Sequence, residues 1–126
     1  MRVPIEVRYA DYDTKQHVNN AVYLTYFEMA RTKAWVERLE GDADFPIIIA
    51  EAQVRYVKPA DIGIPLACEI TTGEIRNRSW TWHYRIVDAR DDSLIAEGRT
   101  VQVYYDYAAA QAAPIPEALK ARLPEL

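Results

Sequence analysis

The chain has 126 residues, half of them apolar, with a formal charge of −4 and one cysteine. That length suits one domain, 1–126, whose core needs neither disulfides nor a metal. The acidic balance argues against a nucleic-acid partner, and no stretch is long and apolar enough to cross a bilayer. Met1 to Tyr9 lacks the hydrophobic run of a signal peptide, so a reducing cytoplasm is the expected location.

Val3, Ile5, Val7 and Tyr9 alternate with polar residues, the period of a strand. A polar, proline-free segment from Ala10 to Asn20 follows. From about Asn20 to Glu40 the period changes. Tyr23, Phe27, Ala30 and Ala34 recur at spacings of three and four, which places them on one helix face. Asn19 or Asn20 is suited to cap its start, and Gly41 to end it. Glu28 and Arg31 are spaced for an ion pair on its surface.

Strands come next. Ala52, Val54 and Tyr56 alternate with Glu51, Gln53 and Arg55 up to Pro59. Ile64 to Ile75 reads as a second strand, with Leu66, Cys68 and Ile70 on one side and Cys68 in the core. Arg76-Asn77-Arg78 reads as a turn, Trp80, Trp82, Tyr84 and Ile86 line the next strand, and Asp91-Asp92 mark another turn. A last strand runs from about Leu94 to Tyr105, and Pro114 and Pro116 precede a short helix. The order predicts an α+β domain: an antiparallel five-stranded sheet wrapped around one long helix. The sheet's outer face stays open; with Trp80 or Trp82 on it, a partner subunit is expected.

The chemistry concentrates before the helix, where Asp11, Asp13, His17, Asn19 and Asn20 crowd together. One reading makes them turn and cap residues only. The other notes that a helix start offers unpaired N–H groups to the negative charge of an acyl-transfer intermediate. A nearby carboxylate then activates a water or attacks the carbonyl itself. The scattered His17, His83 and Cys68 make no metal-ligand pattern, and no phosphate loop or nucleophile elbow occurs.

Asp11-Tyr12-Asp13, His17-Val18-Asn19-Asn20, Tyr23-Leu24 and Glu28-Met29-Ala30-Arg31 resemble the signature of the 4-hydroxybenzoyl-CoA thioesterase-like branch of hotdog proteins, bacterial acyl-CoA thioesterases above all. The Gln16-to-Asn20 run is also similar to plant acyl-ACP thioesterases. Ala50 to Tyr56 with Pro59, and Pro114 to Glu117, agree with it. The resemblance implies the hotdog fold and an acyl-CoA thioesterase without cofactor. Asp13 falls at the family's catalytic carboxylate, Asn20 near its polarising amide, and His17 at the plant enzymes' site histidine. Lys15 stands where the plant enzymes carry asparagine, and Gln16 where many bacterial members carry glycine. Tyr23 and Phe27 are candidates to line the acyl pocket; Lys58, Arg76 and Arg78 are candidates for the phosphates of coenzyme A. The resemblance further implies a homodimer or homotetramer with its sites between subunits. An acyl-ACP substrate, a non-catalytic acyl-CoA binder and a structural subunit with a vestigial site are the alternatives.

Overall fold

The computed structural model describes residues 1–41 and 44–126. Strand β1 (Arg2–Ile5) leads through a turn at Tyr9–Asp11 to helix α1 (Tyr23–Glu37). Strands β2 (Ile47–Tyr56), β3 (Leu66–Ile75), β4 (Ser79–Asp88) and β5 (Leu94–Asp106) follow. A two-residue strand β6 (Gln111–Ala112) and helix α2 (Glu117–Arg122) close the chain. All pairings are antiparallel, in the order β1-β3-β4-β5-β2, with β6 appended to β5. The expected five strands and long central helix are therefore present; β6 was not expected.

The apolar stripe of α1 explains the wrap. Tyr23, Tyr26, Phe27, Ala30, Ala34 and Trp35 are all buried against the sheet. Phe27 is fully enclosed and stacks on Tyr84, rings 4.2 Å apart and 11° from parallel. The helix comes this close to β5 because position 98 is glycine. A Cβ there would lie 2.2 Å from Gln53 O and 2.7 Å from the Phe27 ring.

Several boundaries differ from the expectation for identifiable reasons. Strand β1 stops at Ile5 rather than near Tyr9, because Asp11 takes the Arg8 N–H (2.9 Å) and folds the chain into a turn. Residues 20–22 form a 3-10 turn before α1, which ends at Glu37. Gly41 does not cap it. The residue in the left-handed region is Glu40 (φ 52°), and Gly41 is glycine because the Trp35 indole lies where its Cβ would be. Strand β2 begins at Ile47, ahead of the alternating stretch; the Ile47-Ile48-Ile49 run hides the two-residue period. Strand β3 begins at Leu66 rather than Ile64, because Ile64 N–H closes a turn onto Asp61 O (3.2 Å).

Trp80 and Trp82 require a correction. Both are buried, 1% and 0% exposed, on the face that meets the helix. The outer face instead carries a row of alternating charge across β1, β3, β4, β5 and β2: Arg2, Glu69, Arg85, Glu97 and Arg55 stand opposite one another in turn. Glu69 pairs with Arg85 at 2.5 Å and Glu97 with Arg55 at 2.6 Å. A face built this way is solvated, so it gives no reason to expect a partner there. The unprotected element is the edge strand β2, ten residues long and mostly exposed from Ala50 to Arg55.

Candidate active site

Asp11 closes the Tyr9–Asp11 turn and Tyr12 after it is extended (φ −85°, ψ 142°), and the two carboxylates part, Asp11 buried and Asp13 exposed. Asp11 turns inward and is 1% exposed. Its Oδ2 accepts from Arg8 N–H (2.9 Å) and the Tyr26 hydroxyl (3.0 Å); its Oδ1 accepts from Arg8 Nε (3.0 Å) and Nη2 (2.8 Å). Burial alone would raise its pKa, but the hydrogen bonds from Arg8 and Tyr26 outweigh burial and hold it below the ordinary value. The same contact with Asp11, added to burial, pushes the Tyr26 phenol strongly up. Sequence reasoning left Asp11 as a turn residue; the paired Arg8 and the inward Tyr26 were its signal.

Asp13 turns outward. The loop it opens is stitched shut by Asp13 N–H to His17 O (2.8 Å), Gln16 N–H to Asp13 O (3.0 Å) and a bridge between Tyr12 and Val18. The reversal is made at Gln16, whose φ is 62°. That left-handed backbone costs a residue with a side chain, and glycine would adopt it freely. Asp13 Oδ1 accepts from Lys15 N–H (2.8 Å) and His17 N–H (3.3 Å), while its other oxygen accepts from no donor among the described residues.

The loop returns to the helix start through Val18 N–H on Ala60 O and Asn19 N–H on Asp11 O, at 2.9 and 2.8 Å. Asn19 is the cap: its Oδ1 accepts from Ala21 N–H at 2.9 Å, and its carbonyl accepts from Val22 N–H at 3.0 Å. That leaves Asn20 N–H as the amide of this turn with no acceptor among the described residues.

Asp13, His17, Asn20, Tyr23 and Lys58 line one open cleft of about 420 Å³, together with Tyr56 and Pro59. His17 Nε2 sits 3.1 Å from Asp61 Oδ1, a residue that sequence reasoning did not single out. The Lys58 ammonium donates to Ser93 Oγ at 2.7 Å. Tyr23 is buried, and burial pushes its phenol up to about 12. Phe27 lies in the core, outside the cleft. Arg76 and Arg78 lie in the β3–β4 turn, where Arg76 pairs with Glu74 at 3.0 Å. That turn leads into Ser79, which faces Val103 and, beyond it, Ile48; Lys58 follows the other end of β2. The separation along the strand is about 27 Å, so one chain does not bring these arginines to its own cleft.

A larger hollow, about 750 Å³, opens at the far end of α1 among Trp35, Leu39, Tyr104 and Arg122. Its Glu40 is paired with Arg122 at 2.7 Å, and the hollow lies at the end of α1 that presents carbonyls, not N–H groups. The smaller cleft is therefore the candidate site. Among the described residues, no three His, Cys, Asp or Glu side chains gather in a metal-holding group.

The profile of the thioesterase-like superfamily matches residues 7–123. A thioesterase of Thermus thermophilus solved with coenzyme A and zinc is 28% identical, TM-score 0.85, over 97% of this chain and 90% of its own. An inferred acyl-CoA thioesterase of Xanthomonas campestris is 34% identical, TM-score 0.79, over 91% and 98%. A Pseudomonas aeruginosa protein superposes with TM-score 0.91 over 100% and 90%, at 23% identity. No curated protein sequence matches the chain.

Proposed function

Because the chain belongs to the thioesterase-like superfamily and has its hotdog fold, we propose that this thioester hydrolase cleaves acyl-CoA at the cleft beneath the start of α1. One observation carries the reading: Asp13, one of whose oxygens meets no donor among the described residues, and Asn20, whose N–H meets no acceptor among them, line the same opening. With the thioester carbonyl oxygen on the Asn20 amide, Asp13 faces the carbonyl carbon. A water deprotonated by Asp13 adds there, the carbonyl electrons move to oxygen, and the amide holds the resulting charge. When the C–S bond breaks, the electron pair leaves on sulfur, which takes the proton from Asp13. Free acid and thiol are the products. Direct attack by Asp13 gives the same products through a mixed anhydride that water then opens. His17, held by Asp61, orients the loop rather than moving the proton.

The edge strand β2 supports a second copy as the partner. Two such strands paired antiparallel would set the Arg76–Arg78 turn of one protomer toward the Lys58 end of the other. Lys58 with Arg76 and Arg78 would then face one nucleotide from two chains. Sedimentation as a monomer of 14.5 kDa would remove that arrangement.

The deciding experiment is thiol release from a panel of acyl-CoA esters by the wild type and by Asp13→Asn. Asp13→Asn is expected to lose about a hundredfold or more in kcat with its unfolding midpoint unchanged. Full turnover in that variant would defeat the assignment of Asp13. An inactive wild type that still binds acyl-CoA would make the protein a carrier or sensor.

A further inference from the structure

We propose that Tyr56 is a positioning residue for the oxyanion-holding amide: its hydroxyl locks the peptide after Asn20 and so keeps the Asn20 N–H aimed into the cleft. The inference rests on the acyl-transfer reading above and adds a residue to it. Tyr56 is the last residue of β2, is 48% exposed, and borders the cleft with Asp13, Asn20 and Lys58. Its hydroxyl donates to Asn20 O at 2.6 Å. Its ring stands edge-on to Tyr23, centroids 5.2 Å apart at 79°.

The hydrogen bonds around Asn20 explain what this contact does. The peptide that carries the Asn20 N–H is held by its own carbonyl, Asn19 O, which accepts from Val22 N–H. The next peptide is held at its nitrogen, where Ala21 N–H donates to Asn19 Oδ1, and at its oxygen by Tyr56. Those two peptide planes share the Asn20 Cα, so fixing the second limits how far the first, which carries the N–H, can turn. Of the three bonds, the first two are internal to the turn and allow it to rock as a unit. Asn19 N–H on Asp11 O anchors the turn one peptide earlier, and the bond from Tyr56 is the one that ties the peptide after Asn20 to the sheet.

Water replaces an exposed hydroxyl–carbonyl bond at little cost in stability. The same loss matters far more for a donor that must meet a developing charge within a few tenths of an ångström. Tyr56 should therefore weigh on turnover much more than on folding or ground-state binding.

The test is Tyr56→Phe in the full-length protein, which keeps the ring against Tyr23 and removes only the hydroxyl. With an acyl-CoA the wild type hydrolyses, kcat should fall about tenfold while KM stays within about twofold. The unfolding midpoint should stay within about 2 °C, and NMR should show the Ala21 N–H exchanging about fivefold faster. Unchanged kcat, or unchanged Ala21 exchange, overturns the proposal. So does a midpoint lowered by many degrees, which would assign Tyr56 to strand packing. If the wild type releases no thiol, the reading of function fails, and amide exchange alone still decides whether Tyr56 holds the peptide.

Discussion

Asp11 is expected to be costly to remove, and the cost follows from its surroundings. The carboxylate is 1% exposed and takes hydrogen bonds from the Arg8 N–H, the Arg8 guanidinium and the Tyr26 hydroxyl. The Arg8 side chain is largely in water, so screening leaves its ion pair little weight. The backbone N–H and the tyrosine hydroxyl are the bonds that count, at about 1.5 kcal/mol each to an ionised acceptor. Asp11→Ala should thus lose about 3 kcal/mol of unfolding free energy at pH 7, and Tyr26→Phe about half of that. Combined, the two should cost less than their sum by about 1.5 kcal/mol, the worth of the bond they share. Burial raises the Asp11 pKa, but the Arg8 and Tyr26 bonds lower it more, so the folded value lies below 3.8. A carboxylate depressed on folding stabilises fully above its unfolded pKa and loses that contribution as pH falls through the folded one. The gap between wild type and Asp11→Ala should therefore be flat from about pH 5 to 8 and close below about pH 4. Urea titrations followed by tryptophan fluorescence suit the measurement, since Trp35, Trp80 and Trp82 are all buried. A loss under about 0.5 kcal/mol at pH 7, or a gap that widens in acid, would refute the reasoning.

Gly98→Ala forces a Cβ against Gln53 O and the Phe27 ring, so it should cost about 2 kcal/mol or more, read as a lower urea midpoint at unchanged slope. At Gln16, where φ is 62°, valine should cost about 1–2 kcal/mol more than glycine, which calorimetry of the two variants can compare directly. Burial pushes the Cys68 thiol up to about 12. Cys68 should resist thiol reagents at pH 8 in the folded protein and react at once in urea; rapid labelling without denaturant would contradict its core placement.

What the sequence disclosed was what a short period can encode. The stripe of Tyr23, Phe27, Ala30 and Ala34 marks the buried helix face, and the order of strands and turns implies the antiparallel sheet. The curl of that sheet is less visible. Alternation puts Trp80, Trp82 and Tyr84 on one face but does not say which face, and only the fit of Phe27 over Gly98 decides it. The roles of Glu69, Arg85 and Glu97 as one cross-sheet row depend on strand register, which no local pattern contains. The site divides similarly. Asp13, His17, Asn20 and Tyr23 are near in sequence and share the cleft. Lys58 and Tyr56 reach it through the pairing of β2 with β5, and Asp61 meets His17 through an isolated bridge. Arg76 and Arg78 could be chosen for their charge, but charge does not disclose which end of the sheet holds them.

The two carboxylates of Asp11-Tyr12-Asp13 show how one residue type takes two jobs at a spacing of two. Asp11 ends a turn that packs inward and Asp13 opens an exposed loop, and from there the count of donors separates them. Asp11 meets four donors in the interior, so it stays ionised while both its oxygens are committed; it is a poor base and a poor nucleophile, but it holds the carbonyl that seats Asn19. Asp13 meets two donors on one oxygen at the surface, and its other oxygen, which meets none among the described residues, is the one the proposed hydrolysis uses. The donors on its first oxygen come from the loop's own amides, so the carboxylate's orientation and the loop's closure are a single structural fact. A loop that loosened at Gln16 would release the Asp13 carboxylate as well, and one torn from Asp11 would also shift the helix start bearing Asn20. The inward aspartate therefore governs the distance between the outward one and the amide, the quantity on which the proposed acyl transfer depends.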